Sequence, residues 1–241
     1  MSTKWKVIEL ESCESTFNAA RKEKPWTIVC ATQQTKGRGR FNRSWFGDTG
    51  GLWITCNLPL GQRTDRHWGL LPLVAGVAIY EALKPLDIEG LRLRWPNDVL
   101  VERDKLGGIL VERPATDMAS IGIGINVFND VNRIAKRTTD KPTRLSDEVY
   151  SCPSVSKLRQ MLADALAKAF NTFVEHGIEA LSPQLQAAWG ASRPVVAITD
   201  TDRICGNFIG VEADGSPILR KADGSTITVP GITVNRLKEL I

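Results

Sequence analysis

Apolar and polar positions alternate loosely over residues 6–11, a period of two that predicts a first strand. The cap-rich run Ser12-Cys13-Glu14-Ser15-Thr16 precedes a short predicted helix over 17–24, which Pro25 ends. Continuous apolar runs at 26–31 and 52–58 predict buried strands, with Gly50-Gly51 turning the chain ahead of the second. Over 67–83, Leu70, Leu71, Leu73, Val74, Val77, Ala78 and Leu83 recur at helical spacing. This is a core helix, with Pro72 tolerated in its first turn and His67 structural. Residues 91–95 form a strand stopped by Pro96, Asn97-Asp98 a turn, 99–102 a short strand and Arg103-Asp104 a hairpin tip. Lys105 opens a further strand over 106–112. Residues 119–127 alternate Ile with Gly, so one face is apolar and the other is stripped of side chains, a mark of close approach by a ligand or another backbone. The stretch 128–153 is polar and irregular, carries Arg133, Lys136, Arg137 and Lys141, and reads as a solvated surface loop.

A strong amphipathic helix follows over 155–174, with Leu158, Met161, Leu162, Ala165, Leu166, Ala169 and Phe170 on one face, and a second helix over 178–189. Residues 190–194 are the best boundary. After them come short strands at 195–199, 205–211, 218–221, 226–229 and 232–237, with Asp214-Gly215 and Asp223-Gly224 as hairpin turns. The pattern describes an α+β chain: a mixed-sheet domain over 1–191, then a small β-barrel over 192–241.

The 241 residues suit one large domain or a main domain with a small appendix. A net charge of +4 does not by itself imply nucleic acid. The N-terminus lacks the apolar run of a signal peptide, and no segment is expected to approach the roughly 18 apolar residues of a membrane helix. The five cysteines are scattered, odd in number and without a C-x-x-C pair, which fits a reducing cytoplasm and argues against disulfides and zinc. With only His67 and His176, histidine-based metal or triad chemistry is disfavoured. No GxxxxGK[ST] occurs, and Gly37-x-Gly39 lacks the third glycine of a dinucleotide turn.

The densest chemistry lies at 37–45, Gly-Arg-Gly-Arg-Phe-Asn-Arg-Ser-Trp, read as a loop because it has no apolar period. Arg38, Arg40 and Arg43 are forks of donors matched to carboxylates and phosphates, hinged on two glycines that permit positive φ and close backbone approach. Three such charges repel unless an anion sits among them, so an anion-binding loop and a solvated basic loop both stand. Trp45 offers a flat face for stacking. Gln34, at the end of the preceding strand, and Asn126, at the end of the Ile–Gly strand, are placed for ligand contact. Ser15 and Thr16 are helix caps or ligand contacts, and Lys105 is a phosphate-directed charge or a hairpin-tip lysine.

Taken together, these pieces resemble biotin protein ligase. The family pattern is a Gln, then Gly-Arg-Gly-Arg-x-x-Arg-x-Trp, then Lys-Trp-Pro-Asn-Asp, a Lys seven residues on, Gly-Ile-Leu, and Gly-x-Gly-x-Asn. Here stand Gln34, 37–40, Arg43, Trp45, 95–98, Lys105, Gly108-Ile109-Leu110 and Gly122-Ile123-Gly124-Ile125-Asn126, in that order and spacing. Two positions depart: Phe17 where the family has Asn in Ser-Thr-Asn, and Arg94 where it has Lys. The resemblance implies that the C-terminal barrel is SH3-like. It implies a ligase that joins biotin to ATP as biotinyl-5′-AMP, with Mg²⁺ on the phosphates and no metal held by protein ligands alone, and then passes biotin to a lysine of a biotin carboxyl carrier protein. Because the pattern starts close to Met1, it implies a form without a DNA-binding module and no DNA partner; the cysteine usage favours a cytoplasmic setting, no membrane partner is expected, and a homodimer is left open.

By the same resemblance Lys105 and Arg40 are catalytic, with Lys105 bridging the biotin carboxylate and the α-phosphate. Ser15, Thr16, Gln34, Gly37, Arg38, Gly39, Arg40, Lys105, Gly108 and Gly122 would hold biotin. Arg38, Arg40, Arg43, Trp45, Asn97, Asp98, Lys105 and Asn126 would hold ATP and the adenylate. The rival readings are a lipoate- or octanoate-handling ligase or transferase, which shares the fold, and a nucleic-acid-binding module built on the arginines and the barrel.

Overall fold

The computed structural model describes residues 4–61, 64, 67–135 and 140–240; Lys136 and Arg137 lie outside the described residues. The chain begins with β1 (Lys6–Cys13), α1 (Thr16–Ala20), β2 (Thr27–Arg38), β3 (Ser44–Gly47), β4 (Leu52–Pro59), α2 (Leu71–Leu83), β5 (Leu91–Arg94), β6 (Asp98–Val101), β7 (Asp104–Ala115) and β8 (Met118–Ile125). It continues through α3 (Val131–Ala135), α4 (Leu145–Glu148), α5 (Val155–His176) and α6 (Ser182–Trp189) to β9 (Arg193–Ile198), β10 (Arg203–Val211), β11 (Pro217–Arg220), β12 (Thr226–Thr228) and β13 (Arg236–Glu239).

The first eight strands form one sheet in the order β1-β2-β4-β8-β7-β6-β5, with β3 paired to β2. Only β1 and β2 run parallel, joined across α1; every other pair is antiparallel, so the sheet is mixed. The continuous apolar start of β2 is buried from Thr27 to Ala31, as a central strand requires. α2 buries ten of its thirteen residues, and a helix apolar on all sides must be enclosed. It packs against α5, α6 and the sheet. The stretch Trp68–Leu86, 19 residues, is therefore long and apolar enough to cross a membrane, against the expectation that no segment reaches that size; here it is mostly buried inside the protein.

Several boundaries move for identifiable reasons. α1 stops at Ala20, short of residue 24, because the buried Asn57 amide donates to the carbonyls of Ala20 and Glu23 at 2.8 and 3.0 Å. β2 runs on to Arg38 because β3 pairs with it, Gly37 opposite Trp45 and Arg38 opposite Ser44. The 37–45 stretch is thus a β-hairpin rather than a loop, and Gln34 lies inside a strand. Asp98 opens β6 instead of closing a turn, pairing with Arg94 and Gly108. The described residues of 128–153 are not simply a solvated loop: they carry α3 and α4, bury Ile134, Thr143 and Leu145, and bracket the Lys105 backbone through Lys105 N–H to Lys141 O (2.7 Å) and Thr143 N–H to Lys105 O (3.0 Å).

The C-terminal strands make a second antiparallel sheet in the order β12-β11-β10-β9-β13, open in the pairings described, where a barrel is expected. Residues 232–237 are not one strand, since Pro230-Gly231 starts a helical turn at Gly231–Thr233 before β13. Two contacts seat this sheet. Trp95 Nε1–H donates to Gly215 O at 2.9 Å, and Arg92 grips Glu239 with both Nη atoms at 2.6 Å while its Nε–H donates to Glu102 O.

With side-chain exposures of 6% and 21%, the Arg92–Glu239 pair is largely desolvated. Breaking one partner strands a buried charge, so Glu239→Ala should cost about 2–3 kcal/mol in urea unfolding. Arg92→Met with Glu239→Leu should cost less than the single change, because an apolar pair carries no desolvation cost. A double variant as weak as the single one would refute this account.

Candidate functional site

One cavity of about 710 Å³ opens where the arginine hairpin, the glycine strands and the edge of the second sheet meet. It gathers Ser15 and Thr16 from α1 and its cap, Gln34 and Arg38 from β2, Gly39, Arg40, Arg43 and Trp45 from the hairpin, Asn97 and Asp98 at the start of β6, Lys105 and Gly108 from β7, and Gly122 and Asn126 from β8 and its end. Gly37 is the exception among the expected residues. A Cβ there would meet the Trp45 carbonyl oxygen at 2.5 Å, so this glycine serves the β2–β3 pairing.

Polar groups contributed by α1 and β2 are already interlocked. Ser15 caps α1, its Oγ accepting from Phe17 N–H, while Thr16 donates from both N and Oγ1 to Gln34 Oε1 at 2.8 and 3.0 Å. Thr16 Oγ1 also meets Thr55 Oγ1 at 2.8 Å. Asn97 donates to Ile109 O and accepts from Arg40 Nη1. The Asn126 amide is engaged at both ends, donating to Thr143 O and accepting from Asn129 Nδ2, so here it fastens the 128–145 segment.

Charge centres on Asp98. Lys105 Nζ donates to its Oδ1 at 2.5 Å, and Arg94 donates from Nε and Nη2 to its Oδ2 at 3.1 and 2.6 Å. Burial alone would raise the Asp98 carboxyl, but Lys105 and Arg94 outweigh it and hold the group below its usual range. Burial likewise opposes the Arg94 charge, and Asp98 and Asp140 more than offset it, keeping the guanidinium above its ordinary value.

The glycine face is filled from within. A Cβ on Gly122 would strike the Phe17 ring at 2.3 Å, and one on Gly124 or Gly108 would meet the Trp45 indole at 2.6 or 3.2 Å. The close approach expected along the Ile–Gly strand, by a ligand or another backbone, is made at Gly122 and Gly124 by two aromatic side chains, Phe17 and Trp45, which pave the cavity floor. Trp45 also stands edge-on to Trp53 and lies 5.5 Å from Lys105 Nζ.

Each of the three arginines lies over an aromatic ring, and Arg43 still presses on the Arg40 charge. Arg38 lies 5.6 Å over the Phe17 ring and pairs with Glu112 at 3.2 Å, while Arg40 and Arg43 lie 4.9 and 5.8 Å over the ring of Phe41. Phe41 takes φ +56°, so the left-handed backbone expected of Gly37 or Gly39 falls on a phenylalanine at the hairpin tip. Burial lowers the Arg40 guanidinium below its ordinary value. Sequence reasoning missed Phe41, Ile134, Asp140, Pro142 and Arg236 as cavity residues. A stretch read as solvent and a strand of the second sheet supply the last four, and neither carries a local signal of a site.

This geometry coincides with clear relatedness. The model of the biotin/lipoate A/B protein ligase family matches residues 6–126. A biotin–[acetyl-CoA-carboxylase] ligase of Paracoccus denitrificans is 30% identical over 209 residues, covering 83% of this chain and 86% of that protein. The bifunctional ligase/repressor BirA of Bacillus subtilis is 28% identical over 208 residues, covering 82% of this chain. The chain spans 62% of the length of that relative. A solved biotin protein ligase from Aquifex aeolicus, in complex with biotin and ATP, superposes with a TM-score of 0.82 over 98% of both chains at 23% identity, which shows a shared fold. Sequence match, fold and the assembled cavity agree: the chain belongs to the biotin/lipoate A/B protein ligase family.

Proposed function

We propose that this protein is an ATP-dependent ligase that activates biotin as biotinyl-5′-AMP and transfers it to a lysine of a biotin carboxyl carrier protein. One observation carries the reading: Lys105, the arginine hairpin and an aromatic-lined apolar floor share a single cavity of a size that suits a small ligand. The names of the relatives point the same way, as does the biotin and ATP complex of the Aquifex aeolicus protein. On this reading residues 1–191 form the catalytic unit and 192–241 an SH3-like unit, and the five thiols, all free, favour the cytoplasm.

The first step joins two anions. The biotin carboxylate attacks the α-phosphate and expels pyrophosphate, so cations must be in place beforehand. Lys105 would sit between carboxylate and α-phosphate, with Arg40 and Arg43 on phosphate oxygens, Trp45 against the adenine, and Asn97, Asp98 and Asn126 near the nucleotide. Ser15, Thr16, Gln34 and the Arg38 backbone would hold the biotin head, with Gly39 beside it and Gly108 and Gly122 beneath the Trp45 and Phe17 rings that floor the site. Mg²⁺ would ride on the phosphates and neutralise part of their charge; among the described residues no three His, Cys, Asp or Glu side chains group to hold a metal. In the second step an acceptor amine attacks the acyl carbon and AMP leaves. Lipoate or octanoate activation and a nucleic-acid module are not favoured.

Incubating the protein with ATP, Mg²⁺ and biotin, lipoate or octanoate, and reading adenylates by mass spectrometry, tests this directly. Adenylate from lipoate alone, or from none of the three acids, would overturn the proposal. Lys105→Ala should lower biotinyl-5′-AMP formation by about 10³-fold, the scale of losing a main charge stabiliser; unchanged turnover would remove Lys105 from the reaction. Arg40→Gly should let the adenylate escape about tenfold faster, seen as biotin on bystander amines, because the closed site is what keeps it from solvent. An intermediate held as tightly as in the parent protein would rule out that role.

A further inference from the structure

A ladder of alternating charge leaves the cavity and ends on the second sheet. Lys105 is joined to Asp98 at 2.5 Å, Asp98 to Arg94 at 2.6 Å, Arg94 to Asp140 at 3.2 Å through Nη1 and 3.0 Å through Nη2, and Asp140 to Arg236 at 3.7 Å. All five side chains line the cavity. Three elements distant in sequence supply them: the β5–β7 region, the segment after α3, and β13. The Arg94 side chain is only 11% exposed and Asp98 15%, so these interactions are weakly screened.

The middle rung depends on guanidinium shape. Arg94 closes its Nε–Nη2 edge on one oxygen of Asp98 and forks its Nη1–Nη2 edge onto both oxygens of Asp140, two planar faces that a lysine ammonium cannot provide. Asp140 thereby fixes the rotation of the guanidinium about its own axis. That rotation fixes which oxygen of Asp98 is left for Lys105, since Arg94 occupies Oδ2 and Lys105 occupies Oδ1. Asp140 takes Arg94 with both of its oxygens, so its influence on Lys105 runs through Arg94 and Asp98.

We propose that Asp140 is a positioning residue for the activation step: through Arg94 and Asp98 it sets the place of the Lys105 ammonium, and through Arg236 it ties that place to the seating of the second sheet. This rests on the ligase reading above. The groups assigned to the biotin head, Ser15, Thr16 and Gln34, bond to one another and to Thr55, outside the ladder. The effect therefore falls chiefly on the rate of adenylate formation and on use of ATP, because the head of the acid is held outside the ladder and only its carboxylate meets Lys105.

The test is steady-state adenylate formation by the full chain with ATP, Mg²⁺ and biotin. Asp140→Asn, nearly isosteric, should lower kcat about tenfold or more, the scale of slightly misplacing a reacting group. The KM for biotin should stay within about twofold, since the groups assigned to the biotin head lie outside the ladder and keep most of the contact with the acid. Asp140→Glu should restore most of the rate. In an Arg94→Gln background the ladder is already cut, so adding Asp140→Asn should lower the rate no further. Thermal midpoints of each variant separate misfolding from mispositioning. Full kcat in Asp140→Asn, a change confined to the KM for biotin, or complete additivity with Arg94→Gln would each overturn the inference. If the parent protein itself makes no adenylate, the ligase reading fails instead, and the two failures are distinct.

Discussion

A carboxylate taken out of water has to be met by cations, and in this protein the requirement falls on Asp98. Left alone in its buried position it would be protonated or would destabilise the fold. Lys105 and Arg94 resolve this, one on each oxygen. Much of the neighbourhood follows from that solution. The short β6–β7 hairpin places Lys105 opposite Leu100, close enough for its stem to reach back to Asp98. The segment after α3 then brackets the Lys105 backbone from both sides. The lysine is constrained at its backbone and at its ammonium, which is the condition for a charge that must act without rearranging.

The arginine hairpin solves the opposite problem, an excess of one sign. Its three guanidiniums are spread over two aromatic rings, Glu112 and Asn97. Cation–π contacts of this kind are worth about 0.5–1 kcal/mol where exposed. A phosphate, which offers charge-assisted hydrogen bonds of greater strength, outcompetes them readily. Phe41 carries the cost of a left-handed backbone to provide its ring. The guanidiniums of the hairpin are therefore held by interactions weak enough to give up, while β2–β3 pairing holds its backbone.

Sequence patterning identifies this architecture wherever one face or one run decides the element. The apolar helix over α2, the amphipathic α5, the strands β4 to β8 and the switch to short strands after residue 190 all rest on burial, which composition reports directly. The misread places share another cause. β2 continues through Lys36-Gly37-Arg38 because β3 pairs with it, and pairing leaves no mark in a polar run. The segment at 128–153 reads as solvent, yet Asn126, Lys105 and Arg94 draw it onto the cavity through backbone carbonyls, amides and one aspartate. Gly122 and Gly124 signal close approach, but a period of two cannot say that the approaching groups are Phe17 and Trp45. The site residues stand out individually; that they converge with Asp140 and Arg236 is a tertiary fact with no local periodicity.

The cavity floor also shows why its present arrangement is suited to change. Two N–H donors there, Arg38 Nε and Trp45 Nε1, are buried without a hydrogen-bond partner. A buried donor left unpaired costs about 1–3 kcal/mol. Both belong to the hairpin or the strand that leads into it, the same element whose guanidiniums are held only by aromatic faces and a few polar contacts. A ligand that supplies acceptors to these donors and anionic oxygens to the guanidiniums would relieve both deficits at once. The free energy of ordering the hairpin around such a ligand is then offset locally, without distorting the sheet beneath, where Gly122 and Gly124 already bear the rings against their backbone.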